Sequence, residues 1–173
     1  MKKHVALTLL LITTLGVLNA HVDVPSVDGR RFVQTQGQMY DAIGWGEDLW
    51  TRSTRNCSQV RALGRTEPVY AQALAAIQAY SPPDSQSARV RQLQQTGDWL
   101  LAEVEFDELS PAVVVLQLQG EGVVVLPTAI WSGDTQPWRP APLIRRHLHT
   151  QAPLMPRPLL DCLDPQVGLF QPR

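Results

Sequence analysis

The sequence predicts an α+β domain that consists of two N-terminal helices, a four-stranded antiparallel meander, and a short C-terminal helix and arm tied back by a disulfide. Three observations predict this class. Apolar residues recur at helical spacing as far as about residue 80, the period then falls to two as far as Trp131, and the two cysteines stand at opposite ends of that pattern. We expect residues 39–173 to form this single domain.

Residues 1–20 are typical of a secretory signal peptide. Lys2 and Lys3 form a basic head, residues 5–18 form an apolar run too short to span a membrane, and Ala20 is the small residue at its exit. We expect cleavage after Ala20; the alternative is an uncleaved N-terminal anchor. A short leader with paired lysines is typical of a bacterium, so we expect a periplasmic or secreted protein without a membrane span after cleavage.

Export predicts a disulfide between Cys57 and Cys162, because two thiols in an oxidising compartment tend to pair. The alternative is two free, buried thiols. No Cys-x-x-Cys motif is present, so a structural bridge is expected and not a catalytic redox pair. In the chain-entropy model, closing a loop of about 100 residues stabilises a fold by up to about 4.7 kcal/mol.

The charge balance bears on the kind of partner. Removal of residues 1–20 takes away Lys2 and Lys3 but no acid, so 15 basic residues become 13 against 16 acidic ones, a net charge of −3. Nucleic acids and anionic membranes both require clustered positive charge. We therefore expect a protein partner or self-association and no nucleic acid. We expect no metal or cofactor either.

The first elements are predicted to be helices. Residues 21–38 have no clear period and are expected to form an extended lead-in. One side of the first helix, which ends at Gly64, is expected to carry Met39, Ile43, Trp50 and Cys57. This spacing turns Cys57 inward. The second helix has Thr66 as its N-cap and Pro68 in its first turn, and its buried side carries Tyr70, Leu74 and Ile77.

The meander follows from residue 88. Its strands are predicted at 88–95, 99–106, 112–119 and 122–131. Gly120 and Glu121 form a two-residue hairpin loop, and Pro127 predicts an edge strand or a bulge. A three-residue turn at 96–98 is expected, because it sets Arg91 opposite Glu103 and Arg89 opposite Glu105.

Glu103 and Glu105 lie on one face of the second meander strand. Paired carboxylates at this spacing can act as general acid and base. The alternative, which the register favours, is that both are ion-paired to Arg91 and Arg89. The sequence contains no nucleophile-elbow, phosphate-loop or His-Glu-x-x-His motif.

The C-terminal part is predicted to contain a helix at 141–150 and a proline-punctuated arm at 153–165. His147 and His149 are two apart on this helix, so their side chains diverge and do not suit a metal. With Arg139, Arg145 and Arg146 they are expected to form a solvated basic patch that receives an acidic partner.

The third and fourth meander strands are apolar on both faces, whereas a half-exposed antiparallel strand alternates apolar and polar residues. Either helices and the C-terminal arm cover both faces, or one face is an interaction surface. Trp131, Trp138 and Arg139 next to it are residue types favoured at binding hot spots. Trp131, Trp138, Arg139, Arg145 and Arg146 are therefore the candidate binding residues.

The segment GDWLLAEVEF, which follows the helices and opens with the turn Gly97-Asp98-Trp99, resembles small cone-shaped α+β domains of the nuclear-transport-factor-2-like kind. The resemblance covers about half of the chain, and the C-terminal helix and arm depart from it. It implies a pocket between the sheet and the helices. That shape serves many functions, so no site residue follows from it.

The sequence thus predicts an exported, non-catalytic binding or accessory protein of the bacterial envelope. One alternative is a small envelope enzyme that uses the sheet carboxylates in a pocket. Another is a component of a secretion or conjugation assembly.

Overall fold

The computed structural model describes residues 22–120 and 122–170. The predicted signal peptide and its cleavage site lie outside these residues. Within them the fold is mixed α+β, all strand pairs are antiparallel, and Cys57 and Cys162 form a disulfide with their Cα atoms 5.9 Å apart. The fold class and the bridge are as predicted, but several details of the elements are not.

The predicted lead-in is paired and forms two β-hairpins. The first joins β1 (Ser26–Val27) to β2 (Arg30–Arg31), and the second joins β3 (Val33–Thr35) to β4 (Gln38–Tyr40). Their central residues all have positive φ: 50° and 75° at Asp28-Gly29, and 51° and 78° at Gln36-Gly37. Both loops therefore have the positive φ values of type I′ turns, which match the twist of hairpin strands. The dipeptide Asp28-Gly29 is a typical hairpin-turn sequence and could have indicated the first hairpin.

The first helix is shorter than predicted. Helix α1 (Ala42–Thr54) begins after β4 because Met39 is paired with Gln34 in the hairpin and because Asp41 caps the helix by accepting a hydrogen bond from the Gly44 N–H at 2.8 Å. It ends before Cys57, whose side chain is exposed and does not face inward as predicted. A short strand, β5 (Arg61–Ala62), follows.

Helix α2 (Pro68–Gln78) lies where the second helix was predicted. Glu67, and not Thr66, is its N-cap residue, and Pro68 occupies the first helical position. Ile77 is buried, Tyr70 and Leu74 are partly buried, and all three pack on the first hydrophobic cluster. The predicted inner side of this helix is therefore correct.

The main sheet has five strands and not four. Strands β6 (Arg89–Thr96), β7 (Trp99–Glu105), β8 (Ala112–Gln119) and β9 (Gly122–Ser132) form the predicted meander within one residue of the predicted bounds. Strand β5 adds to the free side of β6, where Arg61 pairs with Gln95. The strand order is β5-β6-β7-β8-β9.

The register between β6 and β7 was predicted correctly only at its far end. Thr96 pairs with Trp99, so the turn has two residues, Gly97 and Asp98, and only Gly97 has positive φ, at 57°. A bulge between Val90 and Gln92 then shifts the pairing by one residue. As a result Arg89 lies opposite Glu105 as predicted, whereas Gln92 and not Arg91 lies opposite Glu103.

Pro127 lies in a bulge on an edge strand, as predicted. Val114 pairs with Ile130 while Leu116 pairs with Val125, so residues 126–129 of β9 all face Val115. Proline has no N–H to donate to a ladder, and this irregular stretch of β9 requires none.

The C-terminal part contains two helices, α3 (Pro140–Gln151) and α4 (Arg157–Asp161), and a 3₁₀ turn at Val167–Phe170. The first was predicted and the second falls in the predicted arm. No helix among the described residues is long and apolar enough to cross a membrane.

Both faces of the main sheet are covered. Helix α2 closes one face over a cluster that includes Leu100, Val104, Val114 and Leu116. Helices α3 and α4 close the other over Leu101, Val113, Val115 and Leu159. The second face is therefore part of the core. Of the two alternatives for this sheet, cover of both faces by helices and the C-terminal arm is correct, and an interaction surface on the sheet is not seen.

Candidate functional site

The inward side of α1 is polar. Neither hydrophobic cluster of the described residues includes a side chain of this helix. Its most buried side chain is Asp48, which is 1% exposed. The carboxylate accepts a hydrogen bond from Arg139 at 2.9 Å and pairs with Arg145 at 3.2 Å and Arg52 at 3.3 Å. Ion pairs therefore fasten α1 to α3 and the segment before it.

Charge neutralisation makes this burial tolerable. Burial by itself would raise the pKa of Asp48, but the hydrogen bond from Arg139 and the positive charges of Arg52 and Arg145 outweigh it, so the pKa is lowered. Burial lowers the pKa of Arg145, and Asp48 opposes this effect. Arg145 also donates to the Leu163 carbonyl, with its Nε at 3.1 Å. This buried set joins α1, α3 and the C-terminal arm.

The outward side of α1 is apolar. Its large side chains are half exposed or more: Ile43 50%, Trp45 57%, Leu49 53% and Trp50 71%. We call these four residues the outer face of α1. Met39 (40% exposed) and Tyr40 (49% exposed) of β4 lie just before it in the chain. Contiguous apolar exposure of this kind marks interaction sites in soluble proteins.

A groove of about 910 Å³ lies between β4, the start of α1 and residues 136–140. Its aromatic lining consists of Tyr40, Trp45 and Trp138, and we call it the tryptophan groove. Trp138 is half-buried, because its ring meets Phe32 edge-on with centroids 5.6 Å apart. The second β-hairpin, α1 and the loop before α3 thus contribute to one groove.

The charged groups at the groove are already paired. Asp41 accepts hydrogen bonds from the backbone N–H groups of Gly44 and Arg139, and it pairs with Arg30 at 3.2 Å. The Arg139 side chain is bound to Asp48. The groove therefore presents aromatic rings together with the amides of Gln38 and Gln136.

The five predicted binding residues do not form one site. Trp138 and Arg139 line the tryptophan groove. Trp131 is half-buried against His147, with ring centroids 5.4 Å apart, and packs on the second hydrophobic cluster. Arg145 is buried, and Arg146 pairs with Glu47 at 3.3 Å. The predicted solvated basic patch is wrong, because α1 supplies the acids that neutralise it.

Two residues of the outer face of α1, Ile43 and Trp50, were recognised as part of a helical stripe, but that stripe was assigned to the interior. Periodicity shows that a helix has two different sides, and it does not show which side faces the protein. The opposite side offered a clue, since Asp48 and Arg52 stand four residues apart and form an ion pair. Tyr40 and Trp45 gave no separate signal, because the groove exists only once the hairpins fold.

The two glutamates of β7 do not share a cavity. Glu105 accepts a hydrogen bond from Arg91 Nε at 2.6 Å and lies 4.0 Å from Arg89. Glu103 is 2% exposed. Its carboxylate accepts a hydrogen bond from the Gln166 backbone N–H, and each carboxylate oxygen lies 3.3 Å from the Gln166 nitrogen. The expected ion pairing is thus seen for Glu105, while Glu103 is buried beneath the C-terminal arm.

The histidines of α3 point apart. His147 lies 3.0 Å from the Ile130 carbonyl, whereas His149 is exposed. Within residues 22–120 and 122–170 no group of three or more His, Cys, Asp or Glu side chains is placed to hold a metal ion.

A second cavity, of about 300 Å³, lies between α2 and the main sheet. It is lined mainly by apolar side chains, among them Ile77, Phe106 and Val114, with Tyr80 and several serines also in the lining. Its position is the one implied by the resemblance to cone-shaped domains.

Comparison of the chain with protein-family models, with curated proteins and with solved structures finds no match in any of the three.

Proposed function

We propose that the chain is an exported, non-catalytic binding protein of the bacterial envelope that holds an extended, uncharged segment of a partner protein in the tryptophan groove. The observation that carries the proposal is a large groove with three aromatic side chains in its lining and no unpaired charge among Asp41, Arg139 and Asp48. Aromatic-lined grooves are a common way to bind extended segments, proline-rich ones in particular.

The paired charges support an uncharged occupant. A charged side chain placed against Trp45 and Trp138 would lose water and find no free counter-ion, since Asp41 and Arg139 are already neutralised. Tryptophan and tyrosine, in contrast, give large contact areas at a small cost in side-chain entropy. The Gln38 amide oxygen already accepts a hydrogen bond from the Tyr40 hydroxyl at 2.7 Å, so the Gln136 amide is the better placed to bind the backbone of an extended segment.

Export is supported by the Cys57–Cys162 bridge, because such bonds persist in oxidising compartments and are rare in the cytosol. The measurement is intact-mass spectrometry of the native protein from the periplasmic fraction. We expect a chain that begins at His21 and has no alkylatable thiol. A full-length, reduced chain in the cytoplasmic fraction would contradict the proposal.

The enzyme alternative has less support, because Glu105 is ion-paired and Glu103 lies under the C-terminal arm. The alternative of a component of a secretion or conjugation assembly is a special case of the binding proposal. It differs only in the partner.

The test uses a phage-displayed library of random 12-residue peptides. We expect selection on the wild-type chain to enrich uncharged peptides that contain proline or aromatic residues. Trp45→Ala and Trp138→Ala should each weaken binding of the selected peptides about tenfold or more, the loss typical of a hot-spot aromatic residue. Trp45 is the cleaner site, because Trp138 also packs on the buried ring of Phe32.

The matched control is Trp50→Ala, which removes the same residue type from the same helix but outside the groove lining. It should leave peptide binding unchanged. Enrichment of acidic or basic peptides would contradict the proposed occupant. Equal binding by wild type, Trp45→Ala and Trp138→Ala would contradict the groove as the site.

A further inference from the structure

The outer face of α1 is arranged for contact with a copy of itself. We propose that this face pairs, antiparallel and about a two-fold axis, with the same face of a second copy of the chain. The inference goes beyond the proposed function. The two surfaces meet at Met39, Tyr40 and Trp45, which line the groove and also border or belong to the outer face, whereas Ile43, Leu49 and Trp50 lie outside the groove lining.

The positions follow from helical geometry, in which each residue advances by about 100°. Gly44 and Asp48 are buried and define the inward direction. Gly46 and Ser53 then point directly outward. Ile43 and Trp50 form a ridge on one side of them, and Trp45 and Leu49 form a ridge on the other. The outer face is thus a shallow valley between two apolar ridges.

The two ridges have nearly the same midpoint along the helix. Ile43 and Trp50 are centred between residues 46 and 47, and Trp45 and Leu49 are centred on residue 47. A two-fold axis at this point reverses the second helix and keeps each ridge opposite its own copy. Ile43 then meets Trp50 of the second copy, and Trp45 meets Leu49 of the second copy. Each large ring faces an aliphatic side chain, as complementary packing requires.

Gly46 lies at this axis. Apart from the chain neighbours and the backbone of its own helix, a Cβ added to Gly46 would meet no described atom within 4 Å, so no packing contact in this part of the chain requires a glycine there. Glycine in the middle of a helix lowers helix stability relative to alanine. Close approach of a second helix is a physical reason for a glycine at this position.

The exposed area is of the size that an interface uses. The four residues of the outer face, with Met39 and Tyr40, are 40–71% exposed. If a fully exposed large side chain offers about 150–250 Å², the six together leave roughly 500–800 Å² of largely apolar surface in water, comparable to or larger than the largest patch on a typical monomer. A standard interface buries about 800 Å² per partner.

A second copy fits this face better than a lipid surface does. Helices that lie on membranes carry lysine and arginine on their polar side. The polar side of α1 carries Glu47 and Asp48 beside Arg52, and the chain has no lysine after Lys3. A second copy also supplies an aliphatic side chain opposite each tryptophan: its Ile43 lies opposite Trp50, and its Leu49 lies opposite Trp45.

The experiment is sedimentation velocity of the disulfide-bonded chain between about 1 and 200 μM. We expect reversible dimerisation with a dissociation constant on the order of micromolar, as for small apolar interfaces. Leu49→Asp places a carboxylate inside the contact on both copies and should weaken the dimer about a hundredfold or more. At a protein concentration where the wild type is monomeric, its Tm should equal the wild-type Tm, because Leu49 is 53% exposed and outside the core.

The matched control is Leu154→Asp, which changes an 84% exposed leucine in the loop after α3 and should leave the dimer intact. Gly46→Ala separates association from helix stability. In the Leu49→Asp background, where dimerisation does not contribute, it should raise the Tm by about 2–4 °C. In the otherwise wild-type chain it should weaken the dimer about tenfold or more.

Three outcomes would overturn the inference: a chain that stays monomeric at about 200 μM, a dimer that survives Leu49→Asp, and a monomer whose outer face binds phosphatidylcholine vesicles. The vesicle result would assign the face to lipid. The Trp138→Ala variant should still dimerise but should no longer bind the selected peptides. The Trp50→Ala variant should dimerise more weakly but should bind the peptides as the wild type does. Because Trp138 lies outside the outer face and Trp50 lies outside the groove lining, these two variants distinguish failure of one proposal from failure of the other.

Discussion

Glu103 is an acidic side chain in a nearly dry position. It is 2% exposed on β7, and burial raises its pKa above the ordinary value of 4.5, while the hydrogen bond from Gln166 and the charge of Arg91 act in the opposite direction. A raised folded-state pKa means that the unfolded chain releases this proton first. The stability that protonated Glu103 contributes is therefore fully present below pH 4.5 and is lost as the pH rises through the folded-state pKa.

Replacement of Glu103 by glutamine tests whether the buried charge of Glu103 lowers the stability of the fold at neutral pH. Glutamine still accepts a hydrogen bond from the Gln166 N–H but carries no charge, so Glu103→Gln should stabilise the fold at pH 7 by about 1 kcal/mol, or about 2–4 °C in Tm for a chain of this length. The gain should disappear below pH 4, where wild-type Glu103 is protonated in both states. Thermal unfolding between pH 3 and pH 8 measures both effects.

Glu105→Gln is the matched control, since Glu105 lies on the same face of the same strand but is paired with Arg91. It should lower the Tm slightly or leave it unchanged at pH 7. A loss of stability for Glu103→Gln at pH 7 would show that the buried charge is itself needed, contrary to the reasoning above.

Which residues pair across β6 and β7 could be predicted only in part. The match of charges correctly set Arg89 opposite Glu105. The same reasoning failed for Arg91, because a two-residue turn and a bulge together give the same pairing at the far end as one three-residue turn. Side-chain pattern alone does not distinguish these two solutions.

At the scale of elements, the start of α1 shows how two glycines two residues apart can have opposite roles. A Cβ on Gly44 would lie 2.1 Å from Asp41 Oδ2, whereas a Cβ on Gly46 would meet no described atom within 4 Å. Asp41 cannot move aside freely, because it caps the helix through the Gly44 N–H and also binds the Arg139 N–H and Arg30.

Gly44→Ala should therefore displace the cap and destabilise the fold by about 1–2 kcal/mol. Gly46→Ala is the control on the same helix, and it should be neutral or stabilising by up to about 1 kcal/mol. Urea unfolding of both variants in the Leu49→Asp background gives the comparison without association. Equal effects of the two substitutions would contradict the assigned role of Asp41.

The elements predicted best were those with two independent signals. The strands of the meander combined a period of two with glycine turns, and Pro127 marked the edge strand and its bulge. The two N-terminal hairpins were missed, because strands of two or three residues are too short to show a period. Only Asp28-Gly29 indicated a turn there.

The orientation of α1 could not be predicted from periodicity. Its attachment depends on Asp48 meeting Arg139 and Arg145, which lie more than 90 residues further along the chain. Those arginines were expected to form a solvated basic patch together with His147 and His149. Long-range ion pairs leave no local pattern, so the tryptophan groove that they help to position was also missed.

At the scale of the whole molecule, the disulfide joins the loop after α1 to the end of α4 across 105 residues. Replacement of both cysteines by serine should lower the free energy of unfolding by about 2–5 kcal/mol. The fold should persist, because both hydrophobic clusters remain and Arg52 still pairs with Asp164 at 2.5 Å. Urea unfolding with and without dithiothreitol measures the difference.

Dithiothreitol should shift the wild-type midpoint towards that of the double variant, since Cys57 is exposed to the reagent. It should have no effect on the double variant itself. If dithiothreitol left the urea midpoint of the wild type unchanged, the bridge would contribute nothing to stability.

The same bond changes how the molecule responds to a pulling force. Tension applied between residues 22 and 170 passes from Cys57 to Cys162 through the sulfur atoms, so none of it reaches the main sheet, whose strands from Arg61 to Ser132 lie inside the closed loop. Residues 22–56 and 163–170, which lie outside the loop, can be drawn out, to about 120 Å and about 27 Å respectively at about 3.4 Å per residue. When the purified chain is pulled from its N-terminal segment, the hairpins and α1 should unfold first, and the loop closed by the bond should extend only after a reductant cleaves it.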